Sequence, residues 1–177
     1  MARVTTVEKA RKDQGNCSGC GDPIKVGDSY RWWKFLRGPR YVRCSKPDCR
    51  PKPSDLTRSE FYSGLYDLQD RLQSALDTFR LDGDGGSLAG ELNDVASELR
   101  TLGEECREKY DNMPEGLRQG DTGQLLETRA DECESRADEL ESAASDAEGY
   151  EDPEVEDEQD GARDDAASDA DIDLSID

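Results

Sequence analysis

Histidine is absent from all 177 residues. That removes imidazole metal ligands, imidazole general bases, and Ser-His-Asp or Cys-His nucleophilic pairs from within the chain. Apolar residues are also scarce, at 33% of the sequence with 6% aromatic. An average globular protein carries roughly 45–50%, so a single core spanning the whole length is not expected. No run of about 18 apolar residues occurs, which excludes a membrane-spanning helix. The N-terminus has no apolar stretch of the signal-peptide kind, and a cytoplasmic, non-secreted protein is expected. Carboxylates abound, but no pair stands apart from the solvated faces, so paired-carboxylate acid/base chemistry has no support. A non-enzymatic protein is expected.

What is abundant is charge, and it is unevenly placed. Residues 1–60 carry 14 Lys and Arg against 7 Asp and Glu. Residues 61–144 carry 8 against 21, and residues 145–177 carry Arg163 alone against 15 acids. The net charge of −20 therefore hides a basic head on an acidic body, an asymmetry that suggests different partners for the two parts. Three regions follow: a basic head at 1–56, an acidic helical and coiled-coil-like region at 57–144, and an acidic tail at 145–177. The tail has too few apolar and aromatic residues for a core and reads as disordered.

Within the head, Thr5 and Glu8 have capping-box spacing, which predicts a short helix from Thr6 to about Asp13. Tyr30 to Phe35 and Arg40 to Arg43 favour two strands of a hairpin around Gly38-Pro39. Thr57 and Glu60 form a second capping pattern. Three helical seams follow, with apolar residues at alternating steps of four and three. The first has Phe61, Leu65, Leu68, Leu72, Ala75 and Phe79; the second has Leu88, Leu92, Val95, Leu99, Leu102 and Cys106. The third has Leu126, Ala130, Cys133, Ala137, Leu140 and Ala144. Glycine-rich breaks between them predict an antiparallel helical hairpin or three-helix unit. The expected architecture is thus a small α+β head built on a hairpin, followed by an antiparallel helical unit and a disordered tail.

The cysteines carry the most specific chemical signal. Cys17-Ser-Gly-Cys20 and Cys44-Ser-Lys-Pro-Asp-Cys49 are two close pairs separated by a hairpin-length segment. Such spacing lets four thiolates converge on one tetrahedral ion at about 2.3 Å each. One structural Zn2+ held by Cys17, Cys20, Cys44 and Cys49 is therefore expected, with Lys25, Lys46 and Arg50 offsetting the negative charge of the site. Gly19 and Gly21 suit a tight knuckle whose N–H groups donate to sulfur. Cys106 and Cys133 fall on helical seams and read as buried thiols. Asp82 to Asn93 resembles a calcium loop, but it lacks the glycine at its sixth position and the glutamate at its twelfth, so a helix-breaking loop is expected instead. Ile172, Leu174 and Ile176 alternate among acids and read as a frayed end or a strand-adding motif.

Cys17-x2-Cys20, Ile24, Gly27-Asp28, Tyr30-x-Trp32 and Cys44-x4-Cys49 together resemble small treble-clef or ribbon fingers. The order is similar to the PARP-type finger, from which it departs in lacking a His-x2-Cys second pair and in its shorter spacer. With the basic leader and the Pro53-Ser54-Asp55-Leu56-Thr57 exit, residues 1–65 look most like small four-cysteine zinc-finger proteins encoded by tailed bacteriophages, and Asn112 to Leu126 resemble them more loosely. The resemblance implies zinc binding and, by distant analogy, DNA binding.

Nine cations lie within the 28 residues from Lys25 to Lys52, interleaved with aromatics. Cations beside exposed aromatics suit phosphate contact and base stacking. The candidate nucleic-acid contacts are Lys25, Arg31, Trp32, Trp33, Lys34, Arg37, Arg40 and Arg43, with DNA favoured over RNA. Trp32 and Trp33 must face opposite sides of their strand. The alternative is an adaptor whose zinc is purely structural and whose helices bind a protein partner. The sequence leaves the oligomeric state open.

Overall fold

The computed structural model describes residues 1–153 and 156–176, as two compact units, Met1–Ser63 and Gly64–Asp177. The division falls within the first turn of a long helix.

Five strands organise the first unit: β1 (Thr5–Val7), β2 (Gly15–Asn16), β3 (Pro23–Ile24), β4 (Tyr30–Lys34) and β5 (Arg40–Cys44). β1, β4 and β5 form an antiparallel sheet in that order, and β2 pairs with β3. The β4–β5 hairpin is the one expected, with Trp32 opposite Val42 and Trp33 opposite Tyr41. The short helix expected after Thr5 is instead β1, with Val7 opposite Tyr30 and Thr5 opposite Trp32. Three consecutive β-branched residues, Thr5, Thr6 and Val7, suit a pleated strand and crowd a helix. That outweighs the capping spacing of Thr5 and Glu8. The chain then loops to Ala10, whose N–H donates to the Asp28 carbonyl at 2.8 Å and whose carbonyl accepts from Gly27 at 2.9 Å.

The pleat of β4 sorts its side chains. On one face lies a buried cluster of Ala10, Cys17, Ile24, Tyr30 and Cys49, with Val7, Trp32, Val42 and Cys44 packed against it. On the other, Trp33 is 2% exposed, stacks on Tyr41 with ring centroids 5.4 Å apart, and donates from Nε1 to the Asp55 carbonyl at 3.1 Å. Two short 3-10 turns, Pro47–Cys49 and Ser54–Leu56, complete the unit before the long helices.

Helix α1 spans Glu60–Asp82, α2 Gly85–Asp111, α3 Glu115–Arg118, α4 Asp121–Glu148 and α5 Glu156–Asp169. The cap of α1 is Ser59, whose hydroxyl accepts from the Tyr62 N–H at 3.4 Å, while Thr57 accepts from Ser59. The expected cap at Thr57 is thus displaced by two residues. Asp84 caps α2 by accepting from the Ser87 N–H at 3.0 Å, and Asp82 accepts from Asp84. Those carboxylates are occupied in turn and cap formation, as expected of a helix-breaking loop.

The expected seams are buried at Leu65, Leu68, Leu72 and Phe79 of α1, at Leu88, Leu92, Val95, Leu99 and Cys106 of α2, and at Ala130, Cys133, Ala137, Leu140 and Ala144 of α4. Leu76 takes the place expected of Ala75, and Leu102 and Leu126 are only half-buried. Ion pairs show that α2 runs antiparallel to α4, and α1 runs antiparallel to α2 because Gly64 near its start lies against Leu102 while Arg71 further along pairs with Glu91 and Glu98. Arg71 spans to Glu91 and Glu98, Arg100 to Asp138 and Glu141, and Arg107 to Asp131 and Glu134. Each arginine thus clamps two acids of the neighbouring helix, which relieves the repulsion that a charge excess of this size creates. The α2–α4 contact is close because its seam is built from small side chains. A Cβ at Gly103 would stand 3.0 Å from the Cys133 Cβ.

The tail departs from the expected disorder. Residues 156–169 are helical, and Ala167, Ala170, Leu174 and Ile176 are buried. The Leu174 N–H donates to Gln69 Oε1 at 3.0 Å. Arg163 pairs with Asp152, and its Nη1 donates to the Leu81 carbonyl at the end of α1 at 2.9 Å. Four small or aliphatic side chains at helical and extended spacing suffice to dock an acidic segment onto an existing core, which average composition does not register. Glu154, Val155 and Asp177 of that tail lie outside the described residues.

Candidate metal centre

Four separate pieces of backbone bring the head cysteines together. Cys17 follows β2 and Cys20 closes the turn that leads to β3. Gly21, at a φ of +78°, takes the left-handed conformation that lets its N–H return to the Cys17 carbonyl at 2.9 Å. Cys44 is the last residue of β5, and Cys49 ends the 3-10 turn, with its N–H on the Lys46 carbonyl at 3.1 Å. The four sulfurs lie within 4.8 Å of one another, and Cys20 Sγ is 3.8 Å from Cys44 Sγ. A tetrahedron with metal–sulfur bonds of about 2.3 Å has sulfur–sulfur edges of about 3.8 Å. All four are free thiols in this structure. The cluster can hold a metal ion.

Its electrostatics favour thiolate at one sulfur and resist it at another. Burial opposes ionisation of Cys17, but N–H groups of Cys20, Cys44 and Gly19 act on its sulfur and bring its pKa down to about 6. Two of these bonds are direct, from Gly19 at 3.4 Å and Cys44 at 3.3 Å. Cys49 is pushed up to about 12, first by the neighbouring Cys44 sulfur and then by burial. Each thiolate in such a cluster makes the next harder to ionise, and a divalent cation held among them would supply the counter-charge. Lys46, expected to soften the site, is tied to Asp22 at 2.5 Å, and Asp22 in turn accepts from the Cys20 thiol at 3.5 Å. Lys25 and Arg50 are exposed.

The eight nucleic-acid candidates divide into structural and exposed groups. Trp33 is buried against Tyr41 and has no face for a base. Arg43 lies over Trp33 at 5.5 Å and pairs with Asp55 at 2.7 Å. Arg40 covers Trp32 at 4.4 Å and donates to the Tyr30 hydroxyl at 3.1 Å and to Gln14 at 3.2 Å, so Trp32 is roofed from that side. Arg31 is half-buried, with its Nη1 buried and unpartnered. Lys25, Lys34 and Arg37 are exposed, and among the described residues none of the three has an ion-pair partner. The sequence reading missed Leu36 and Arg58. Leu36 is the hairpin-tip side chain, and Arg58 lies over the Phe35 ring at 4.9 Å. The uninterrupted Phe35-Leu36-Arg37 run before Gly38-Pro39 was the available signal for Leu36; Arg58 had none, because it reaches the tip from outside the hairpin.

In the body, Cys106 and Cys133 are buried free thiols. Burial raises both, Cys133 to about 12, with Cys106 adding to the shift. No described helix is long and apolar enough to cross a membrane. Of the resemblance to small four-cysteine fingers, the geometry carries the clustered cysteines beside a short antiparallel sheet. No family model, curated protein or solved structure matches this chain.

Proposed function

We propose that the head binds one structural zinc through Cys17, Cys20, Cys44 and Cys49 and uses the folded hairpin to contact nucleic acid, duplex DNA in the first place. Sulfur-only donors in tetrahedral spacing suit zinc, and four thiolates leave no open coordination position for substrate, so the ion's work is to hold the head together. Two of the five residues in the head's buried cluster are ligands, which couples metal binding to folding.

The nucleic-acid reading rests on one observation about how the head's charges are committed. Asp55 pairs with Arg43 and also accepts from the Lys52 N–H, and Asp22 pairs with Lys46. Asp13 and Asp28 accept from the backbone N–H groups of Val26 and Lys25. These acids of the head are thus used up in local structure, while Lys34 and Arg37 project from the hairpin unpaired. Seven excess positive charges over residues 1–60, less two for a four-thiolate zinc site, leave a net of about +5 to attract phosphate.

The test is fluorescence anisotropy of a labelled duplex with the zinc-loaded full chain across a salt series. Affinity should fall steeply with salt. A Lys34→Ala, Arg37→Ala double variant should bind more weakly with a salt slope smaller by about two, one for each phosphate no longer neutralised. A zinc-loaded chain that ignores duplex DNA at low salt would end this reading.

A further inference from the structure

The tip of the β4–β5 hairpin displays an aliphatic side chain where the fold gains nothing from one. Leu36 is 98% exposed, the most exposed large apolar residue among the described ones. It is not the end of a loose loop. Its neighbour Phe35 turns inward, edge-on to Tyr41 with centroids 6.1 Å apart, and Arg58 covers its ring. Gly38, at a φ of +139°, lets the backbone pass close to the Arg58 guanidinium, and a Cβ there would stand 2.5 Å from Arg58 Nη2. Tyr41 is itself stacked on the buried Trp33. The tip is therefore braced from below, and Leu36 is held outward between exposed Lys34 and Arg37.

We infer that Leu36 is an apolar wedge that enters duplex DNA from the minor groove and partly unstacks one base step, with Lys34, Arg37 and Arg58 on the flanking phosphates. The inference rests on the nucleic-acid reading and specifies its mode. Single-strand binding needs exposed aromatic platforms, and this head has largely turned its aromatics to other uses: Trp33 is buried, Trp32 lies under Arg40, and Tyr41, though 36% exposed, has one ring face against Trp33. What is left outside is an aliphatic side chain amid unpaired cations, the combination by which minor-groove proteins kink a duplex. One leucine at a turn fits a groove about 6 Å wide, which a two-stranded ribbon laid lengthwise does not. Flexible pyrimidine–purine steps, which unstack with least resistance, are the preferred targets.

The experiment uses the zinc-loaded full chain and a short duplex carrying a fluorescent adenine analogue at a central TA step and a donor–acceptor dye pair at its ends. Binding of the wild type should brighten the adenine analogue, as unstacking does, and raise energy transfer between the ends, as bending does. Leu36→Ser should lower affinity by no more than about tenfold and keep the salt slope, because the phosphate contacts remain, while both optical signals vanish. Leu36→Met should retain them. Leu36 is fully solvated, so neither change threatens the fold. Salt-dependent binding without brightening or bending overturns the wedge and leaves the nucleic-acid reading intact. Absence of any duplex binding removes both. Binding to vesicles of anionic lipid that needs Leu36, with an undistorted duplex, overturns the wedge in favour of a membrane surface.

Discussion

In the head, one face of the sheet buries Ala10, Cys17, Ile24, Tyr30 and Cys49, five residues of which two are candidate metal ligands, and the other face buries Trp33. In the body, α1 and α2 alone bury Leu65, Leu68, Leu72, Leu76, Phe79, Leu88, Leu92, Val95 and Leu99, and no metal-ligating cluster is found there among the described residues. Both regions work with few apolar side chains, but the helices gather theirs into continuous seams and cover the flanks with arginine clamps. The head has no seam to extend. Its strands are two to five residues long, too short to bury much surface, and the zinc proposed above would cross-link the knuckle, the end of β5 and the 3-10 turn. The comparison teaches that one chain can hold two units whose stability has different origins and should fail under different treatments.

The largest effect should come from removing the cross-link. Zinc binding in small four-ligand domains supplies about 10–16 kcal/mol of apparent free energy, more than the head's own core can replace. Cys17→Ser, or chelation of the wild type, should therefore unfold the head. Both tryptophans, Trp32 and Trp33, are in the head, so their fluorescence and near-ultraviolet dichroism report on it alone. Those signals should collapse, while the far-ultraviolet helix signal persists. Loss of the helix signal along with them would show that head and body are one cooperative unit. Metal analysis of the purified protein should find about one zinc per chain, and a retained ion in Cys17→Ser would remove the centre.

The reciprocal break is Val95→Asp. Val95 is fully buried mid-seam in α2, and an unpaired carboxylate there should cost on the order of 3–5 kcal/mol. Thermal unfolding of the helices should shift down strongly, with bound zinc and tryptophan fluorescence unchanged below the new midpoint. A finer contrast lies within α2 itself. Gly103 sits against Cys133 and the Ala130 carbonyl, whereas Gly90 faces open space. Gly103→Val should destabilise by about 1–3 kcal/mol through overpacking. Gly90→Ala should stabilise by roughly 0.5–1 kcal/mol, because it removes backbone freedom from the unfolded chain at no steric cost. Opposite signs at two glycines of one helix, read by denaturant titration, would locate the close α2–α4 approach.

The same contrast explains what could be read from the residues. Helical seams are periodic, so Leu65, Leu92 and Cys133 announce their burial locally. Paired cysteine spacing is likewise a local pattern, and the hairpin was legible because Trp32, Trp33 and Tyr41 bracket Gly38-Pro39. What was not legible depends on partners distant in sequence. Thr5–Val7 is a strand because β4 is there to pair with it. Trp33 and Trp32 could be assigned to opposite faces, but which is buried and which is roofed by Arg40 follows from Asp55, Tyr30 and Gln14. Gly103 as a contact point depends on Cys133, about thirty residues away.

The tail gives the smallest effect and the sharpest test of how acidic sequence can be ordered. Arg163 is its sole cation. Its Nε donates to Asp152 Oδ1 at 2.9 Å, its Nη2 takes the second carboxylate oxygen, and its Nη1 caps the Leu81 carbonyl. Asp152 also accepts from the Tyr150 hydroxyl at 3.0 Å, and the Tyr150 ring meets Phe79 edge-on at 5.0 Å. The arginine beside it holds the Asp152 carboxyl below its ordinary range. One guanidinium thus joins α5, the linking segment and the end of α1, a three-way fork that the single ammonium of lysine cannot reproduce. Arg163→Ala and Arg163→Lys should both speed hydrogen exchange across residues 156–176, with the alanine variant faster, while α2 and α4 keep wild-type protection. Because Asp152 has a depressed folded-state pKa, its contribution is present at neutral pH and fades as pH falls through that value. Tail protection in the wild type should therefore decline in acid, and in the alanine variant this decline should be blunted. Equal protection of residues 156–176 in wild type and both variants would mean that Ala167, Ala170, Leu174 and Ile176 dock the tail without the fork.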